Sequence, residues 1–102
     1  MHMKKIKIEV QYFNGCPNSE SVLDMVRKYV NESESKIDFE EILVDTEEVA
    51  KQYKFRGSPT ILINGNDIEG LKENETPSLS CRFYSNGLPT SDNLRDYIIL
   101  LE

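Results

Sequence analysis

Residues 6–18 leave the chain few choices. Ile6, Ile8, Val10 and Tyr12 alternate with Lys7, Glu9 and Gln11, the period of two that lays one face of a strand on a core. Asn14-Gly15 turns the chain, and Cys16-Pro17-Asn18-Ser19 follows at once. Proline suits the first helical position, because the N–H it lacks would have no partner there. A helix is therefore expected to open at Pro17 with Cys16 as its cap. Val22, Leu23, Val26, Tyr29 and Val30 share its apolar face, and the polar stretch 31–35 ends it. A strand feeding a helix calls for a second strand parallel to the first, reached by a right-handed crossover. Residues 37–44 supply it. Phe39 and Leu43 lie in one phase, Ile42 and Val44 in the other, so parts of both faces should be covered.

The second half carries equally local signals. Asp45 and Glu48 are spaced as a capping box, opening a short helix through Val49, Ala50, Tyr53 and Phe55 that Gly57 should end. Pro59 precedes the β-branched run 60–63, Asn64-Gly65 marks a hairpin, and 67–71 would return. Residues 72–80 read as a loop and 81–84 as a short extended piece closed by Asn86-Gly87. A helix start around Pro89 to Asp92 precedes the stripe Leu94, Tyr97, Ile98 and Leu101. The expected fold class is α/β, ordered βαβαββα. It is one domain over residues 1–102, with a mixed four-stranded sheet and helices on both faces.

Composition removes several functions. Eighteen acids against 12 bases leave a net charge of −6, and beyond Lys4, Lys5 and Lys7 no basic face is visible to meet phosphates, so nucleic acid is not an expected partner. No apolar run approaches the ~20 residues of a membrane span. The opening residues contain no signal-peptide apolar region, which makes a cytoplasmic location the expectation. One histidine, His2, excludes Ser-His-Asp catalysis and paired-His zinc sites. Two cysteines, Cys16 and Cys81, are too few for a secreted disulfide framework or a cysteine-rich zinc site. No metal or cofactor is expected, and thiol chemistry leads. Its partners would be protein or small-molecule thiols and disulfides.

Cys16 stands where a strand passes into a helix. Free N–H groups and the helix dipole favour an anion there, so its thiol should titrate below the ordinary ~8.5. Pro17, Asn18 and Ser19 shape that turn, and Asn18 and Ser19 add hydrogen-bond donors. The plain alternative is a small buried hydrophobe, the usual state of a free cysteine. Cys81 alternates with Phe83 and reads equally well as a half-buried cysteine on a short strand.

Three pieces of the sequence resemble the thioredoxin/glutaredoxin superfamily. They are the strand ending Tyr12-Phe13-Asn14-Gly15-Cys16-Pro17, the junction Tyr53-Lys54-Phe55-Arg56-Gly57-Ser58-Pro59-Thr60, and Ile63-Asn64-Gly65 followed by Asp67-Ile68-Glu69-Gly70. The resemblance implies a thioredoxin-like fold with Cys16 as nucleophile. It also implies a cis Ser58–Pro59 bond beside Cys16, and a backbone edge at Ser58, Pro59 and Thr60 that pairs an extended substrate by strand addition. More narrowly, Phe13-Asn14-Gly15-Cys16-Pro17-Asn18, Gly57-Ser58-Pro59-Thr60 and Leu79-Ser80-Cys81-Arg82-Phe83-Tyr84 are similar to the short prokaryotic DF-family (seleno)proteins. Some of those carry selenocysteine where Cys16 stands. One departure matters. Ser19 occupies the place of the second cysteine of a thioredoxin. Serine can donate a hydrogen bond to a thiolate but cannot attack a disulfide. Within the resemblance, Cys81 becomes a candidate resolving thiol. Three readings stand together: a monothiol or Cys16/Cys81 oxidoreductase, a non-catalytic module holding a soft metal or metalloid between two thiolates, and a pure interaction domain.

Overall fold

The computed structural model describes residues 5–33 and 36–101. The chain runs β1 (Ile6–Tyr12), α1 (Ser19–Glu32), β2 (Ile37–Leu43), α2 (Glu47–Tyr53), β3 (Thr60–Ile63), β4 (Asn66–Asp67) and α3 (Ser91–Leu101). The four strands form one mixed sheet in the order β2-β1-β3-β4. β1 pairs parallel with β2, Ile6 beside Ile37 and Ile8 beside Phe39. The β1–β3 and β3–β4 pairs are antiparallel.

Strand parity decides which helix covers which face. Ile6, Ile8 and Val10 of β1 and Ile61 and Ile63 of β3 meet Val22, Leu23 and Val26 of α1 and Leu94 and Ile98 of α3. A fully buried side chain of this kind contributes about 1.5–3 kcal/mol. On β2, Ile37 and Phe39 join that core, while Ile42, of opposite parity, packs with Val44, Ala50 and Phe55 beside α2. Helices therefore cover both faces.

Three boundaries differ from the sequence expectation. Helix α1 opens at Ser19 with Asn18 as its N-cap, not at Pro17 with Cys16 as the cap, because residues 13–19 form two tight turns first. Cys16 N–H donates to Phe13 O at 3.2 Å, and Ser19 N–H donates to Cys16 O at 3.2 Å. Thr46, not Asp45, caps α2, its hydroxyl accepting from Val49 N–H at 3.1 Å, and Lys54 in the left-handed conformation ends that helix before Gly57. The return strand stops at Asp67 because its carboxylate turns inward and accepts the N–H groups of Glu69 and Leu71 at 2.9 and 3.1 Å. A side chain that bonds its own backbone this way closes a turn instead of a ladder.

Candidate active site

The turn after β1 leaves Cys16 only 4% exposed. The next elements to meet it come from far along the chain. The Ser58–Pro59 peptide is cis, and Ser58, Pro59 and Thr60 are buried. Ser58 Oγ accepts Phe13 N–H at 2.7 Å and lies 2.6 Å from Ser19 Oγ, which also reaches Phe13 O at 3.2 Å. Two hydroxyls and the N–H and C=O of Phe13 thus lock the turn of Cys16 against the Ser58–Pro59 loop.

Residues 80–84 lie along the free edge of that loop as a strap. Ser58 N–H donates to Ser80 O at 2.9 Å, and Arg82 N–H donates to Ser58 O at 2.8 Å, making a parallel bridge between Ser58 and Cys81. The bridge sets Cys81 over Cys16, and the two form a disulfide with Cα atoms 5.6 Å apart. Gly57 makes the approach possible. Its φ is +104°, and a Cβ there would stand 2.9 Å from Arg82 Cβ. Only glycine meets both conditions without strain.

The strap alternates. Arg82 and Tyr84 point inward and are buried, whereas Cys81 and Phe83 are exposed. A guanidinium at an inward position needs a partner, since an unpaired buried charge is costly. Asp67 provides it through two bonds, Nη1 to Oδ1 at 2.6 Å and Nη2 to Oδ2 at 2.8 Å. Tyr84 closes the anchor. Its ring lies 4.4 Å from the guanidinium carbon, and its hydroxyl donates to Pro59 O at 2.6 Å. Burial alone would raise the carboxyl pKa of Asp67. The bonds from Arg82, Glu69 N–H and Leu71 N–H outweigh burial and hold it below the ordinary range. Arg82 is likewise burdened by burial, yet Asp67 raises its pKa above its usual value. Burial pushes the Tyr84 phenol well up, so it remains a donor.

Of the residues singled out from sequence, Cys16, Ser19, Ser58, Pro59 and Cys81 converge here. Pro17 and Asn18 are exposed on the turn, and the Asn18 side chain makes no capping bond. Thr60 is turned inward, its hydroxyl donating to Gly57 O at 2.6 Å. Sequence reasoning missed Asp67, Tyr84 and the packing role of Gly57. Arg82 entered only as part of the stretch 79–84. The signal for Arg82 was available: an arginine alternating with Cys81 and Phe83 must either face water or find a buried acid.

A thioredoxin-domain family model matches residues 5–75. The chain belongs to the thioredoxin-domain family. Its fold is shared by thioredoxin-2 of the malaria parasite, described as a component of that parasite's protein secretion machinery. The TM-score is 0.61 at 16% identity, covering 98% of this chain and 87% of that one. A second structure, described as a malarial protein, gives 0.58 at 17% identity, covering 95% and 97%. No curated protein sequence matches. The family match ends before the strap, so this thioredoxin-fold chain draws the partner of Cys16 from beyond the matched segment. Among the described residues no helix is long and apolar enough to cross a membrane, and no cluster of three or more His, Cys, Asp or Glu side chains could hold a metal ion.

Proposed function

We propose that this protein is a thiol–disulfide oxidoreductase whose redox couple is Cys16 and Cys81. The observation that carries the reading is the disulfide between them, formed beside the Ser58–Pro59 loop. Thioredoxins use two cysteines on one turn. With Ser19 in the second position, a couple here must recruit its partner from elsewhere, and the strap does so.

In the reduced protein, Cys16 stands two residues ahead of Asn18, the N-cap of α1, close enough to the helix N-terminus for its field to favour a thiolate. Pro17, Asn18 and Ser19 support this by shaping the turn. Ser58, Pro59 and Thr60 form the backbone edge beside the couple, open to an extended substrate by strand addition only where the strap does not occupy it. In the oxidised state that edge carries residues 80–82 of the chain itself. The partners are thiols and disulfides, of small molecules or of proteins, in the cytoplasm, where such bonds are transient and catalytic rather than structural. The Cys-Pro-Asn-Ser turn and the Leu79–Tyr84 stretch favour closer kinship with the prokaryotic DF-family (seleno)proteins.

The convergence of two sulfurs also suits a second reading, in which the reduced pair holds a soft metal or metalloid ion. Turnover separates the two. With glutathione as reductant and a small mixed disulfide as substrate, the oxidoreductase reading expects catalytic reduction that Cys16→Ser and Cys81→Ser each slow and that loss of both cysteines abolishes. Absence of turnover, with stoichiometric retention of a soft metal ion lost in either variant, would overturn it.

A further inference from the structure

The two halves of the disulfide differ in access. Cys16 is 4% exposed, whereas Cys81 is exposed on the outer side of the strap, where Phe83 two residues on is 86% exposed. A thiolate attacks a disulfide along the S–S axis, so access behind each sulfur decides which one it reaches. Cys16 is enclosed in the packed β1–α1 turn, and Cys81 is a solvent-exposed residue.

The alternative route is blocked. A polypeptide laid along Ser58 would need its N–H and C=O, and both are bonded, to Ser80 O at 2.9 Å and to Arg82 N–H at 2.8 Å. Displacing the strap would also expose the Arg82–Asp67 pair and break the Tyr84–Pro59 bond. We infer that Cys81, not Cys16, is the sulfur that exchanges with external thiols, that Cys16 is the leaving and resolving thiolate, and that the partner is a compact thiol rather than an extended polypeptide on the Ser58 edge. This rests on the redox reading above.

The steps balance. A thiol loses its proton to solvent, and its thiolate attacks Cys81 Sγ. A new S–S bond forms there, the Cys16–Cys81 bond breaks, and the electron pair leaves on Cys16 Sγ. A second thiolate attacks the outer sulfur of the adduct and releases the Cys81 thiolate and the oxidised small disulfide. Two electrons have passed to the protein, and its thiolates take protons from solvent. Oxidation is the reverse: Cys81 attacks the small disulfide, and Cys16 then attacks Cys81 Sγ. Cys16 suits the leaving role, because it stands two residues before the Asn18 cap of α1 and a nearby helix N-terminus favours the departing anion.

The test uses the oxidised full-length protein mixed with reduced glutathione, quenched with acid at short times and digested without reductant. The expected adduct is on Cys81 with Cys16 free. In the single-cysteine proteins, Cys16→Ser should exchange with oxidised glutathione about tenfold or more faster than Cys81→Ser, since buried thiols are unreactive. A reduced, extended cysteine peptide should react no faster than glutathione. An adduct on Cys16, faster exchange by Cys81→Ser, or a large advantage for the peptide would each overturn the inference while leaving the redox couple intact. Failure of the protein to form or exchange its disulfide would overturn the redox reading, and this inference with it.

Discussion

Two arginine–carboxylate forks hold this molecule, and they differ mainly in how much water reaches them. Arg27 of α1 grips Glu41 of β2 through two bonds of 2.7 Å, with side chains 42% and 27% exposed. Arg82 grips Asp67 at 2.6 and 2.8 Å, with side chains 4% and 1% exposed. Glu41 is held below its ordinary pKa by the Arg27 bond, and Asp67 by Arg82 and two backbone N–H groups against the opposing push of burial. The geometry is nearly the same. The consequence of losing one partner is not. A hydrated pair returns its charges to water, while a buried pair strands one of them. The first fork fastens a helix already fastened by apolar packing. The second fastens the strap that presents Cys81 to Cys16.

The largest expected effect breaks the buried fork. Arg82→Ala should destabilise the protein by about 3–5 kcal/mol, read from denaturant unfolding under reducing conditions, because Asp67 is left buried and unpaired. In the same variant the Cys16–Cys81 bond should be reduced at a lower glutathione concentration than in the parent. Wild-type resistance to either change would mean that the strap is held by other contacts. Acid reaches the same pair. The folded-state pKa of Asp67 is depressed, so its contribution is fully present above the ordinary carboxylate range and is lost as pH falls through the folded value, below ~4. Asp67→Asn should remove that segment of the pH–stability curve. An unchanged acid limb would contradict the assignment.

Next in size is Gly57→Ala. The φ of +104° and the 2.9 Å approach to Arg82 Cβ predict a loss of about 1–3 kcal/mol and a strap displaced from Ser58. Faster amide exchange at Arg82 N–H, bonded to Ser58 O in the parent, is the local readout. The smallest effect is Arg27→Ala. Its unfolding midpoint should stay within the scatter of ordinary surface substitutions, and its disulfide should be as hard to reduce as the parent's. A large loss there would erase the contrast between the forks.

The same contrast explains what could be read in advance. Ile6, Ile8 and Val10, and Val22, Leu23 and Val26, announce their elements because burial imposes a period of two or 3.6 on neighbouring residues. Cys16 was legible as a site because strand, turn and helix meet within a few residues of it. The strap was not. Arg82 and Asp67 lie 15 residues apart, and each looks locally like a surface charge until the other is found. The outward face of Cys81 follows from that pairing, not from hydrophobicity, which would have turned Phe83 inward. Gly57 read as a helix terminator because its actual neighbour, Arg82, belongs to a distant segment.

Whether the strap makes Cys16 and Cys81 one couple is decided by counting thiols. The protein is oxidised mildly as a monomer, unfolded in denaturant with an alkylating reagent, and weighed intact. The expected result is a mass two hydrogens below the reduced chain with no alkylated cysteine, reverting to two alkylated cysteines after prior reduction. Two alkylatable thiols in the oxidised monomer would contradict it, and would leave Cys81 as a structural residue of the strap.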